Sequence, residues 1–76
     1  MSYDYRKLKG KIIEKFGTQS KFAEKLGVSE RTLSLKLNNK VYWVQDEITK
    51  ACKLLGISEN EAHKYFFEIK VQLIEQ

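Results

Sequence analysis

The segment from Thr18 to Asn38 constrains the fold more than any other part of the chain. Phe22, Ala23 and Leu26 recur at helical spacing, which predicts one short helix with a single apolar face. The hydroxyl of Thr18 is suited to cap the start of that helix. Gly27 follows at once and can take the left-handed conformation that ends a helix and turns the chain.

A second short helix is predicted directly after this turn. Ser29 is a typical N-cap residue, and Leu33 and Leu37, four residues apart, form a buried seam. The other face of this helix is left free of packing and carries Glu30, Arg31, Ser34, Leu35 and Asn38. Two short helices joined in this way form a helix-turn-helix.

Composition limits what the rest of the chain can be. The 76 residues allow one small domain, and the absence of proline favours an all-helical fold. The single cysteine, Cys52, excludes an internal disulfide and a cysteine zinc site, and we expect it to be a small buried residue. No apolar run approaches the roughly 20 residues that span a bilayer, so we expect a cytoplasmic protein.

Positive charge is concentrated in the N-terminal part of the chain. Residues 1–43 hold ten Lys and Arg against four Asp and Glu, whereas residues 44–76 hold four against six. The positive part contains the helix-turn-helix, and such a field attracts phosphate. A lysine-rich, solvated surface is the alternative explanation for this pattern.

The first helix is predicted from Asp4, as its cap, to Phe16, after a flexible arm of residues 1–3. Gly10 in its middle lowers helix stability and suggests a close approach of another helix. Its apolar stripe consists of Tyr5, Leu8, Ile12 and Phe16, widened by Ile13, and its cations are expected on a solvated face.

Trp43 is expected to pack on Ile48 at the start of a fourth helix. The N-cap of this helix is either Val44 or Asp46. A valine cap would leave backbone N–H groups that a phosphate could satisfy, and an aspartate cap would not. The core stripe of this helix is Ile48, Ala51, Cys52 and Leu55, and the helix ends at Gly56.

A fifth helix is predicted to start with a capping box of Ser58 and Glu61. Its apolar residues are Ala62, Tyr65 and Phe66. His63 lies off this stripe and is interpreted as a surface residue, not a metal ligand.

The tail at residues 68–76 has two interpretations. Apolar and polar residues alternate, which is a strand pattern, but the spacing also fits a continued helix. We favour the strand. A lone strand needs a partner for its backbone, which predicts an antiparallel homodimer through Phe67, Ile69, Val71 and Leu73.

The helix-turn-helix resembles that of the lambdoid phage repressor and Cro group, the XRE-type regulators. The residues that carry this resemblance are Gln19, Ala23, Gly27, Val28 and Leu33, with the leading Thr18 and the trailing Asn38. Lys36 departs from the pattern because this position is usually apolar, and we expect its stem to pack while its ammonium reaches water or a phosphate. The ending Tyr65, Phe66 and Phe67 also resembles small phage Cro-like proteins.

The resemblance implies a five-helix, lambda-repressor-like domain that binds operator DNA as a dimer and regulates transcription. The helix after Gly27 would enter the major groove. The positions expected to read bases are Ser29, Glu30, Arg31, Thr32, Ser34 and Leu35. Those expected to contact phosphates are Gln19, Ser20, Lys21, Lys36, Asn38, Lys40 and Tyr42.

Two other classes of protein are alternatives to a DNA-binding regulator. A protein-interaction module, such as an antirepressor or an antitoxin-like partner, would keep the fold and show a neutral or acidic recognition face. The sequence is basic there, which favours operator DNA over this alternative. An enzyme is not expected, because no segment gathers a nucleophile with a base, an acid and base pair, or a metal set. No cofactor, metal or small-molecule substrate is therefore predicted.

Overall fold

The computed structural model describes residues 2–70 and is helical over most of that range. The elements are α1 (Arg6–Phe16), α2 (Gln19–Leu26), α3 (Glu30–Leu37), α4 (Gln45–Leu55), a 3₁₀ turn (Glu59–Glu61) and α5 (Ala62–Phe66). The all-α prediction is confirmed. No helix in this part of the chain is long and apolar enough to cross a membrane.

The two helices of the central motif start and end where the sequence predicted. Thr18 Oγ1 accepts a hydrogen bond from the Lys21 N–H at 3.1 Å, and Ser29 Oγ accepts one from the Thr32 N–H at 3.0 Å. Gly27 is left-handed, with φ of 93°, and its N–H donates to the Ala23 carbonyl at 2.9 Å. These local bonds satisfy backbone groups that a helix end would otherwise leave without partners.

A single core lies between the helices. Phe22, Leu33 and Leu55 have no exposed surface, and Ala23 is only 1 % exposed. The small side chain of Ala23 lets α2 and α3 approach at the turn. The buried apolar set is Tyr5, Leu8, Ile12, Phe22, Ala23, Leu26, Leu33, Leu37, Ala51, Leu55, Ile57 and Phe66.

The first helix differs from its prediction in two respects. It starts at Arg6 because Asp4 Oδ1 accepts the Arg6 N–H at 3.0 Å in a turn that precedes the helix. The expected close approach at Gly10 was wrong, since a Cβ atom there would meet nothing within 4 Å. Gly10 therefore has no packing role in this structure.

The fourth helix starts after Val44, which decides between the two predicted caps. Valine offers no side-chain acceptor, but Glu47 Oε1 accepts the Val44 N–H at 3.0 Å. Ala51 is buried, whereas Ile48 and Cys52 are half-buried at the edge of the core. Burial raises the pKa of the Cys52 thiol.

Trp43 packs edge-on against Phe66 of α5, with ring centroids 5.1 Å apart. This contact joins the connection before α4 to the last helix. The sequence suggested Ile48 as the neighbour of Trp43 because Ile48 is near in the chain, whereas the aromatic partner lies 23 residues away.

The predicted capping box of Ser58 and Glu61 does not form. The Ser58 side chain makes no capping bond, and the Glu61 N–H donates to the Ser58 carbonyl at 3.0 Å within the 3₁₀ turn. Helix α5 is short and buries Phe66, while His63 is exposed as expected.

Residues on either side of Ile69 form backbone hydrogen bonds with the start of the same chain. Tyr3 and Ile69 form an antiparallel bridge. Ser2 and Tyr3 were expected in a flexible arm. Instead, the Ser2 carbonyl accepts the Lys70 N–H, and the N–H and carbonyl of Tyr3 bond to the side-chain amide of Asn39. On this edge the segment around Ile69 pairs with the chain's own N-terminus, and the homodimer stays a prediction. The predicted contacts of Val71 and Leu73 lie outside the described residues.

Candidate recognition face

The recognition face is defined here as the exposed surface of α3, the start of α2 and the connection at residues 38–44. Glu30 and Arg31, at the start of α3, are both exposed. Neither forms an ion pair with any residue of the described range 2–70. The guanidinium of Arg31 is therefore available to a partner molecule.

The hydroxyls of Ser29 and Thr32 are partly engaged with each other. Ser29 Oγ donates to Thr32 Oγ1 at 2.9 Å while it caps the helix. Thr32, Ser34 and Leu35 are half-buried, so each offers only part of its side chain. Of the six positions predicted to read bases, the structure exposes Ser29, Glu30 and Arg31 most fully.

The end of α3 is closed by the residues that follow it. Asn38 Nδ2 donates to the Ser34 carbonyl at 2.9 Å, and the Lys40 N–H donates to the Leu35 carbonyl at 2.9 Å. Asn39 adopts a positive φ of 63°, a conformation that asparagine tolerates better than most residues. These contacts turn the chain back over the end of α3.

Lys36 does not fill the role predicted for it. Its ammonium lies inside the protein, with 5 % of the side chain exposed, 2.8 Å from Glu47 Oε1. It also donates to the Tyr42 carbonyl at 2.9 Å and lies 5.9 Å from the centre of the Trp43 ring. A phosphate cannot reach an ammonium enclosed in this way, so the expected phosphate contact of Lys36 was wrong.

The ion pair fixes the connection between α3 and α4. Burial raises the pKa of the Glu47 carboxyl, but hydrogen bonds from Lys36 and the Val44 N–H, together with the charge of Lys36, lower it overall. Glu47 is therefore held as a carboxylate, and it accepts the N–H of Val44 at one end of the connection. Lys36 donates to the carbonyl of Tyr42 in the same connection.

Three apolar side chains are exposed on this clamped connection. Val41 is 40 % exposed, Tyr42 82 % and Val44 54 %. The sequence predicted a phosphate contact for Tyr42 and suggested Val44 only as a helix cap, and it indicated no part in binding for the valine side chains. The sequence did hold a signal for this apolar surface, namely the four apolar residues in succession from Val41 to Val44.

The other predicted phosphate contacts are placed at the surface. Ser20, Lys21 and Lys40 are exposed, Gln19 is half-buried, and the Asn38 amide is bonded to Ser34. The start of α4 is a poor anion site even though its cap is valine, because Asp46 and Glu47 put carboxylates in its first turn.

The recognition face carries a small surplus of positive charge. Among its exposed side chains, three are cationic and one is a carboxylate. The cations are Lys21, Arg31 and Lys40, and the carboxylate is Glu30. Half of the ten Lys and Arg residues in 1–43 lie on α1 instead, which packs against α2, α5 and α4.

Comparison with known proteins places the chain in a family. The model of the family described as "Protein of unknown function (DUF739)" matches residues 1–69. The chain belongs to the DUF739 family. No curated protein sequence matches it.

A solved structure gives a functional context for the fold. It is the solution structure of the modulator of repression (MOR) of the temperate bacteriophage TP901-1 from Lactococcus lactis. The two chains are 57 % identical and superpose with a TM-score of 0.78, over 95 % of this chain and 97 % of that one. The similarity thus extends well beyond residues 18–38.

Proposed function

We propose that this chain regulates repression in a temperate phage by binding a repressor protein through the recognition face. The 57 % identical modulator of repression supports the regulatory part of this proposal. A modulator acts on a repressor or on the operator that the repressor occupies, so its partner is either a protein or DNA.

The exposure of Tyr42, whose backbone carbonyl is bonded to Lys36, is the observation that favours a protein partner. Tyrosine is enriched among residues that dominate binding energy, because a large ring with few rotamers is buried at low entropic cost. The Tyr42 backbone is fixed by Lys36, so little further ordering is required on binding. Two exposed valines flank it at positions 41 and 44.

The electrostatics support the same choice. A face that binds the duplex backbone needs a surplus of cations, and here Lys36 is neutralised by Glu47. The exposed charges that remain on the face are three cations and one carboxylate, a small surplus for contact with a duplex backbone. Apolar side chains after α3 would lie along the phosphates if the protein docked as a typical helix-turn-helix.

Duplex DNA is the second candidate, and the geometry of α3 favours it. Arg31 is exposed at the N-terminal end of α3, which is the helix that enters the major groove in such proteins. Arg31 would donate two hydrogen bonds to one guanine, and Lys40 would contact a phosphate. In this mode the protein would be the operator-binding regulator that its sequence suggests.

One titration experiment separates the two candidates. The phage's repressor and its operator duplex are titrated separately with the wild-type protein and with Tyr42→Ala, Arg31→Ala and Lys40→Ala. We expect nanomolar to micromolar binding to the repressor, weakened about 30-fold or more by Tyr42→Ala. Ile13→Ala, which removes a side chain of 49 % exposure on α1, is the matched control and should bind as the wild type does.

The opposite result would establish the DNA mode. Arg31→Ala would then weaken operator binding by about 1–3 kcal/mol and relax the preference at one base pair. Lys40→Ala would weaken all duplexes alike and make the salt dependence shallower by about one unit. Binding to operator alone, unaffected by Tyr42→Ala, would overturn the proposal of a protein partner.

A further inference from the structure

Both ends of the described chain meet in a short two-stranded ribbon. The Asp4 N–H donates to the Glu68 carbonyl at 2.7 Å, and the Lys70 N–H donates to the Ser2 carbonyl at 2.9 Å. These bonds flank the pair of Tyr3 and Ile69, so the backbone groups of that pair point away from each other, toward the two outer edges of the ribbon.

One outer edge is closed by a side chain. The Tyr3 N–H donates to Asn39 Oδ1 at 2.8 Å, and Asn39 Nδ2 donates to the Tyr3 carbonyl at 2.9 Å. The amide of Asn39 thus imitates the backbone of a neighbouring strand. No further strand can pair with Tyr3 while this contact is made.

Within residues 2–70 the opposite edge of the ribbon has no partner. The N–H and the carbonyl of Ile69 have no hydrogen-bond partner within residues 2–70, and the residue is 45 % exposed. An exposed edge with a free donor and acceptor is a template for another strand.

We propose that a second copy of this chain pairs antiparallel with this edge, with Ile69 of each copy facing the other across a two-fold axis. In that register the two isoleucines exchange both N–H to carbonyl bonds, which is the hydrogen-bonded pair of an antiparallel ladder. The same patch serves both copies, as a two-fold interface requires.

Charge complementarity selects a second copy as the occupant. When the two Ile69 residues face each other, Glu68 of each copy lies opposite Lys70 of the other. Opposite charges at directly facing positions stabilise an antiparallel pair, and like charges destabilise it. Neither Glu68 nor Lys70 is in an ion pair within residues 2–70, so both are available.

Exposed apolar side chains beside the ribbon also favour a second copy as the partner. Phe67 is 52 % exposed beside the ribbon, and pairing would cover part of it together with Ile69. In this arrangement Ile69 of the two copies lies at the centre, with an N-terminal arm on each outer side.

This proposal does not depend on what the recognition face binds. It is tested by sedimentation of the free protein from about 10 μM to about 1 mM, a range suited to a small interface. We compare the wild type with Glu68→Lys, Lys70→Glu and the double exchange. Each single reversal should weaken the dimer roughly 5- to 30-fold, because two ion pairs become like-charge pairs. The double exchange should restore it.

A backbone variant tests the hydrogen bonds independently. Ile69→Pro removes the outward N–H while leaving the Glu68 carbonyl and the Lys70 N–H to bond the arm. It should abolish the dimer, whereas Ile69→Ala should weaken it only moderately. Thermal unfolding of each variant confirms that the domain remains folded. A wild type that stays monomeric throughout, or single reversals that dimerise like the wild type, would overturn the proposal.

Discussion

Removing the carboxylate of Glu47 should destabilise the fold more than removing the ammonium of Lys36. The two atoms are 2.8 Å apart, but 22 % of the Glu47 side chain is exposed against 5 % for Lys36. Water can therefore solvate an unpaired Glu47 in part, whereas an unpaired Lys36 remains enclosed. The asymmetry follows from the cost of a buried charge without a partner.

The structure sets the sizes of these effects. Glu47→Ala leaves the Lys36 ammonium with the Tyr42 carbonyl alone, which should cost about 3 kcal/mol. Lys36→Met keeps the apolar stem and leaves Glu47 bonded to the Val44 N–H, so about 1–2 kcal/mol is expected. The double variant buries no charge and should lose only about 1 kcal/mol, far less than the sum of the two single changes.

Urea and thermal unfolding of the four proteins measure this cycle. Trp43, the one tryptophan, packs on Phe66 beside the ion pair and reports on unfolding by fluorescence. For a domain of this size about 1 kcal/mol shifts the midpoint temperature by about 4–8 °C. Additive single losses, or a larger loss for Lys36→Met than for Glu47→Ala, would refute the reasoning.

Two further predictions concern stability. Gly10→Ala should raise the free energy of unfolding by about 0.5–1 kcal/mol, because a Cβ atom there meets open space, whereas Gly27→Ala should lower it at φ of 93°; urea midpoints compare the two. Hydrogen bonds from Arg6 lower the pKa of Asp4 from 3.8 to about 2, and the pKa of Glu47 is also lowered. Both carboxylates therefore contribute stability above about pH 4 that is lost as the pH falls toward 2. Unfolding curves of Asp4→Asn and Glu47→Gln should depend less on pH over this range, and unchanged profiles would contradict the assignment.

Local signals in the sequence were sufficient for the central motif. The caps at Thr18 and Ser29 and the left-handed turn at Gly27 each depend on residues within four positions of one another. The seam of Leu33 and Leu37 likewise follows from the helical repeat. The all-α fold and the surface position of His63 could be predicted for the same reason.

Tertiary structure decided what the recognition face presents. Lys36 departs from an apolar pattern, but only its contact with Glu47 on the next helix shows that its charge is enclosed and lost to a phosphate. The same ammonium also donates to the backbone carbonyl of the exposed Tyr42. A polar residue in an apolar stripe can snorkel or pair, and the sequence alone does not say which occurs.

Tertiary structure also decided how the two ends of the described chain pair. Alternating residues near Ile69 predicted an extended backbone, yet its partner, Tyr3, lies 66 residues earlier in the sequence. Periodicity reports how one segment is exposed along its own length, and it carries no information on which distant segment completes its hydrogen bonds. The sequence by itself therefore determined the helices and the turn that joins α2 to α3, while the packing of remote segments determined which side chains and which strand edge remain open to a partner.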